Sequence, residues 1–205
     1  MSKPLNDITN NQKIVFDNNL INKIIDEINQ KNVLNLLKSI KNLHPADIAE
    51  LLEFLSPDQR IYLLNKLDSE SYTDVLAEID DTIVDETVNQ LQHDKVAQSI
   101  SDMETDDAVG LIESLQPETQ KKILDQVSAE DREIFSESLN YPEDTAGRRM
   151  QKEIVSMPSF WTVGQAIDFL RDEKDLPEDF YEIFIVDPSN KPLGNISVSK
   201  VLRSG

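Results

Sequence analysis

The chain has 205 residues and no cysteine, which excludes disulfides and thiolate metal sites and fits a cytosolic setting. Its 39 acidic against 20 basic residues leave a formal net charge of −19, which argues against nucleic acid, where affinity depends on Lys and Arg neutralising phosphates, and against attraction to an anionic membrane surface. A hydrophobic fraction of 39% supports a globular core, while no run approaches the roughly 18 apolar residues of a membrane span and no N-terminal apolar segment reads as a signal peptide.

Residues 1–19 are polar and Asn-rich and are expected to form a flexible N-terminus. The spacing of Leu20, Ile21, Ile24, Ile25 and Ile28, and then of Val33, Leu36, Leu37 and Ile40, predicts two helices. These would cap eight consecutive blocks of twelve residues that run from His44 to Leu139. Each block ends on an apolar residue: Leu55, Leu67, Ile79, Leu91, Met103, Leu115, Val127 and Leu139. A second apolar track runs three residues ahead, through Leu52, Leu64, Leu76, Val88, Ile100, Ile112 and Leu124. A fixed period means that each unit buries its apolar face against its neighbours.

One continuous helix cannot satisfy this period, because twelve residues make three turns plus about 120° and the stripe would spiral around the axis. The chain must break at each boundary, and the boundaries carry helix-start chemistry. Ser56-Pro57-Asp58-Gln59 is a capping box with proline at the first helical position. Ser128 precedes Glu130-Asp131, Thr105 precedes Asp106-Asp107, and Asp68-Ser69 and Asp80-Asp81 occupy the corresponding joints. Short helices of roughly eight or nine residues are expected, each too short to persist alone, with breaks near 56, 68, 80, 92, 104, 116 and 128. Leu52, Leu55, Leu64, Leu67, Leu76, Ile79, Ile112 and Leu115 are the expected core.

The repeat ends at Leu139, and Tyr141-Pro142-Glu143-Asp144-Thr145-Ala146-Gly147-Arg148 breaks the pattern. The expected organisation is therefore a helical domain over 20–140, a linker over 141–150 and a different module over 151–205. In that last segment Ile154-Val155 is a short apolar run, and Thr162-Val163-Gly164-Gln165 is a capping box opening a helix. Ile183 to Val186 reads as a buried strand, Asp187 to Pro192 as a turn, and Leu193 to Val198 as the return strand of a hairpin. The order is β-α-β-β, with little mass for a core, as expected of a module cut short.

Nucleophilic catalysis finds no support, since His44 and His93 lack a Ser and Asp context. His44 before Pro45 reads as a helix cap, His93 as a solvated polar residue and Trp161 as a packing residue. Neither a P-loop nor a GxGxxG occurs, and histidine is too scarce for zinc. What remains is carboxylate: Asp106-Asp107 with Asp102 and Glu104 just before it, Asp80-Asp81, and Asp85-Glu86. Acids at helix starts have a structural explanation in capping. Hard cations such as Mg²⁺ and Ca²⁺ also take such ligands, often using only one or two carboxylates plus water.

Leu43 to Leu52 (LHPADIAELL), the leucine-rich twelve-residue units and Tyr141 to Arg148 together resemble the cytosolic N-terminal domain of the MgtE magnesium transporters. Phe160 to Ala166 and Ile185 to Ser197 resemble the first CBS motif that comes next in that family. The resemblance implies a mainly α fold, a superhelix of short helices followed by a partial α+β CBS module. It implies a homodimeric Mg²⁺ channel whose transmembrane pore domain lies beyond this chain, at the cytoplasmic face of the cell membrane, with Mg²⁺ bound between acidic N and CBS domain faces closing the pore. Carried over residue by residue, it implies metal ligands at Asp106 and Asp107, at Asp74 by repeat register, and at the backbone carbonyl of Arg148. Gly110 stands where some members carry an acid one turn later, and Arg149 where an apolar residue is usual. The opposing carboxylates belong mostly to the second CBS motif. Gly194-Asn195-Ile196-Ser197 is followed by Lys200 where nucleotide-binding CBS motifs carry a ribose-contacting Asp.

The expected function is therefore a Mg²⁺-sensing regulatory region and not an enzyme. The rival reading is an acidic helical-repeat interaction module related to flagellar motor switch proteins, which would lack the β-α-β-β segment.

Overall fold

The computed structural model describes residues 18–174, 176–177 and 180–204. The expected flexible segment 1–19 lies outside the described residues up to 17, and Asn18 and Asn19 already belong to the first helix. No helix among the described residues is long and apolar enough to cross a membrane. The chain divides into two compact units. One holds the described residues up to Met103 together with Gly110–Glu133, and the other holds Glu104–Val109 with the described residues from Ile134 on.

Among the described residues ten helices precede the linker: α1 (Asn18–Asn29), α2 (Val33–Ile40), α3 (Pro45–Glu53), α4 (Pro57–Leu64), α5 (Ser69–Ala77), α6 (Asp81–Gln90), α7 (His93–Asp102), α8 (Thr105–Glu113), α9 (Pro117–Leu124) and α10 (Ala129–Leu139). From α3 on, every helix starts twelve residues after the one before it, and the breaks fall where the caps predict them. Asp68 accepts the Ser71 N–H at 2.9 Å, Ser128 Oγ accepts the Asp131 N–H at 3.0 Å, and Gln59 accepts the Ser56 N–H at 3.0 Å. His44 caps α3 through Nδ1, which accepts the Ala46 N–H at 3.3 Å, so its role is structural. His93, read as solvated, is instead half-buried at the start of α7, because the first turn of that helix packs within the repeat stack.

Within the first unit α3 packs on α5, α5 on α7, α7 on α9 and α4 on α6, while α1 packs on α2 and α4, and α6 on α7 and α9. Leu52, Leu64, Leu76, Val88, Ile100 and Ile112 are fully buried, and Leu55, Ile79, Leu91, Leu115 and Val127 nearly so. Leu67 departs from the expected core. It is half-buried and lines an open cleft beside α2, α3 and α5.

Polar contacts repeat with the same phase. Asn89 donates to Thr119 Oγ1 and Ser101 to Asp131, each at 2.8 Å across thirty residues, with the second pair one repeat after the first. Arg60 Nε donates to the Leu52 carbonyl at 2.9 Å, and Gln120 Nε2 donates to the Ile112 carbonyl at 2.8 Å, each spanning eight residues. Each carbonyl, near a helix end, also accepts a backbone N–H three residues on, from Leu55 and Leu115, and the long side chain of the following helix adds a second donor.

In the second unit β1 (Ser156–Pro158) runs parallel to β2 (Glu182–Val186), which pairs antiparallel with β3 (Pro192–Ser197), in the order β1-β2-β3. The helices α11 (Val163–Asp172) and α12 (Val198–Arg203) complete a β-α-β-β-α module. The predicted capping box opens α11, with Thr162 Oγ1 and Gln165 in reciprocal hydrogen bonds. Asp187 Oδ1 accepts the N–H groups of Ser189 and Lys191 and closes the hairpin turn, where Asn190 takes a φ of 58°. Val155, Met157, Ala166, Ile183 and Val201 form the core, with Trp161 tilted against Phe169 at a ring separation of 5.3 Å. Only Ile183 of β2 is fully buried. Phe184 is 39% exposed, because successive strand residues face opposite sides of the sheet.

Candidate cation site

The second unit includes the first turn of α8, and there the acidic residues converge. Glu104 occupies the cap position, its carbonyl accepting the Ala108 N–H at 2.9 Å. Thr105, expected to be the cap, is the first helical residue and is buried. Its backbone N–H and hydroxyl both donate to Glu153, at 3.2 and 2.5 Å. Asp106 and Asp107 follow in the first turn, where the helix dipole favours negative charge.

Glu104, Asp106 and Asp107 each bring one carboxylate oxygen within 4.8 Å of the other two. Glu104 and Asp107 are exposed, whereas Asp106 is half-buried, and its Oδ1 is buried with no hydrogen-bond partner among the described residues. Gln151 Nε2 donates to the Glu104 carboxylate. Partial burial raises the Glu104 pKa above the ordinary glutamate value, and the charges of Asp106, Asp107 and Glu153 raise it further, against the lowering effect of Gln151. Removing such oxygens from water is costly unless a cation or a donor meets them. Three hard oxygens at this spacing can hold a Mg²⁺ or Ca²⁺ ion that keeps part of its water shell.

Of the residues singled out from the sequence, Asp106 and Asp107 come together, and Glu104 joins them. Asp74 is an exposed residue of α5 in the first unit and is not part of this acidic group. Arg148 lies in a 3-10 turn over Ala146–Arg149, where its Nη1 donates to the Ser138 carbonyl of α10 at 3.2 Å. Gly110 has open space where a Cβ would sit. Glu153 and Gln151 were not singled out from the sequence. They lie some four repeats downstream in a segment without periodicity, and only folding brings them to α8.

Comparison with known proteins places this geometry in context. A family model described as the MgtE intracellular N domain matches residues 43–144. The chain is 24% identical over 186 residues to the magnesium transporter MgtE of Bacillus subtilis (strain 168), covering 91% of this chain and 41% of that relative. It is 34% identical over 68 residues to the magnesium transporter MgtE of Enterococcus faecalis (strain ATCC 700802 / V583), covering 33% of this chain and 15% of that relative. The chain thus spans less than half the length of these relatives. Its fold matches the crystal structure of the soluble part of a magnesium transporter, with a TM-score of 0.76 at 23% identity, covering 91% of this chain and 74% of that one. It also matches the cytosolic domain of the Mg²⁺ channel MgtE in complex with ATP, with a TM-score of 0.80 at 20% identity, covering 90% of this chain and 76% of that one.

Proposed function

Because the chain belongs to the MgtE family, we propose that it is a cytosolic Mg²⁺-sensing region that gates the pore of a magnesium transporter or channel. The observation that carries this reading is the Glu104, Asp106 and Asp107 cluster, with a buried Asp106 oxygen left without a donor among the described residues. Asp106 and Asp107 are the central ligands, with Asp74 and the Arg148 carbonyl as further ones in the assembled homodimer. At low Mg²⁺ the acidic faces of the N and CBS domains repel and the gate is released; at high Mg²⁺ the ion draws them together. The β-α-β-β-α module favours this reading over a motor-switch-like interaction module, which would lack it.

The magnitudes suffice. Two carboxylates about 5 Å apart repel by about 3 kcal/mol at an effective dielectric near 20. Moving a two-state equilibrium from mostly closed to mostly open takes about 5.5 kcal/mol. Two or three uncompensated pairs supply that, and a bridging dication reverses their sign.

The test uses the full-length transporter. Mg²⁺ should protect the segment from Tyr141 to Arg149 from protease, at ionic strength matched with a monovalent salt to remove general screening. Asp106→Ala with Asp107→Ala should move the protection midpoint to higher Mg²⁺. The 205-residue chain alone should respond far less, because this reading places the opposing carboxylates mostly in the second CBS motif. An unchanged midpoint in the double variant would reduce these two residues to helix caps.

A further inference from the structure

In the first unit a cleft of roughly 380 Å³ opens among α2, the connection to α3 and the start of α5. Leu34, Leu37, Leu43 and Leu67 line it, together with Lys38, Lys41 and Asp68. Leu34 is 73% exposed and Leu37 37% exposed, one turn apart on α2. Leu67 is the informative position. Its repeat equivalents Leu55 and Ile79 are 3% and 7% exposed, whereas Leu67 is left half-open. The apolar track is buried at Leu55, Ile79, Leu91, Leu115 and Val127 and is left half-open at Leu67, as it is at Met103 and Leu139.

The charged residues on the lining are Lys38 and Lys41 against Asp68, a positive balance in a chain of net charge −19. From Ile28 to Ala46 the chain carries Lys31, Lys38 and Lys41 and no acidic residue, in a protein with 39 acids. The one carboxylate on the lining, Asp68, is held by the Ser71 N–H at the start of α5. A concavity of this size accepts side chains, which a flat bilayer cannot provide, and a chain of net charge −19 is repelled by anionic lipid. A two-fold pairing of two copies through this face would set Lys38 and Lys41 against their own kind.

We propose that this cleft docks an amphipathic helix of a partner protein, apolar on one face and rich in Asp and Glu on its flanks. Leucine-type anchors at i, i+3 or i+4 would fill the space between Leu34, Leu37 and Leu67, and the acidic flanks would meet Lys38 and Lys41. This site is independent of the cation site and goes beyond the sensing function.

The test measures fluorescence anisotropy of a labelled peptide with the 205-residue chain at about 0.15 M salt. The probe has about sixteen residues, with Leu at i, i+3, i+4 and i+7 and Glu and Ala elsewhere, as helix-in-groove recognition requires. Its control has the same composition with the leucines scattered around the helix. The probe should bind saturably and the control should not. Leu34→Asp with Leu37→Asp, and separately Lys38→Glu with Lys41→Glu, should each weaken binding by roughly tenfold or more. All four side chains are exposed, so an unchanged melting temperature shows that loss of binding is not loss of fold. No saturable binding, equal binding of the control, or indifference to both variant pairs would overturn the proposal. So would association with phosphatidylglycerol vesicles that Leu34→Asp with Leu37→Asp abolishes, or a solution dimer lost in that variant, which would assign the cleft to lipid or to a second copy.

Discussion

The carboxylate of Glu153 accepts both polar hydrogens of Thr105, the backbone N–H at 3.2 Å and the hydroxyl at 2.5 Å. A residue 48 positions downstream thus ties the helix start that carries Asp106 and Asp107. Glu153→Ala should therefore destabilise the first turn of α8 by about 0.5–2 kcal/mol, the range for a lost helix cap. Glu153→Gln, which keeps an acceptor oxygen, should lose less. Hydrogen exchange at the amides of residues 105–108 reads this directly, and equal protection in the parent and both variants would show that the tie contributes nothing.

The repeat core makes a graded prediction. Leu64 is fully buried, so Leu64→Ala should cost about 2–5 kcal/mol. Leu67 lines an open cleft, so Leu67→Ala should cost about half of that or less. Urea midpoints of the two variants at equal slope make the comparison, and equal losses would mean that Leu67 is as enclosed as its repeat equivalents.

Gly147 explains part of the Tyr141 to Arg148 motif. A Cβ at this position would lie 2.6 Å from Tyr141 Cδ1 and 2.9 Å from Cγ, closer than packed atoms approach. Gly147→Ala should force the ring away at a cost of about 1–3 kcal/mol, as overpacking does, and should expose the segment to protease. Adding Tyr141→Ala should remove most of that penalty. If Gly147→Ala leaves cleavage and stability untouched, the ring has room that the structure does not show.

Tyr72 is fully buried on α5 with its hydroxyl unpartnered among the described residues, and Lys95 Nζ stands 3.6 Å from its ring centroid. Burial first and the charge of Asp94 second raise its pKa well above the ordinary tyrosine value. Removing an unsatisfied buried hydroxyl costs little or stabilises, so Tyr72→Phe should leave the melting temperature equal or higher. A large drop would mean that the hydroxyl has a partner, such as a bound water.

Asp68 caps α5, and the Ser71 backbone N–H lowers its pKa below the ordinary aspartate value of 3.8. A depressed folded pKa means that the unfolded chain binds the proton more readily. The stabilisation is therefore complete above pH 3.8 and is lost as pH falls through the depressed folded value. Asp68→Ala should destabilise by about 0.5–2 kcal/mol at neutral pH, and the gap from the parent should narrow on acidification below the aspartate range. A gap that stays constant with pH would remove the charge from the account.

The twelve-residue period was legible because burial and capping act locally and repeat. Leu52, Leu64 and Leu76 are buried for the same reason at the same phase, and boundaries such as Asp68, Asp80 and Ser128 carry their own caps, so the repeat and its breaks could be read from the chain even where, as at Gln92 and Gln116, no side chain caps the helix. Position 67 shows the limit of that reading. It carries the same kind of residue as 55 and 79, yet among the described residues it lines an open cleft.

By itself, the sequence determined the helical repeat, its breaks, the change of grammar after Leu139 and the acidic start of α8, since these depend on residue type and on spacing within a turn or a repeat. The tertiary structure alone decided that Glu153 and Gln151 reach Thr105 and Glu104, that one oxygen of Asp106 is buried without a donor among the described residues, and that Tyr141 lies over Gly147. It also decided which polar residues pair across thirty positions, since Asn89 with Thr119 and Ser101 with Asp131 share a phase but no residue type. A hydrogen bond or a buried oxygen requires a distance of a few ångströms, and residues dozens of positions apart meet that condition only after the chain has folded.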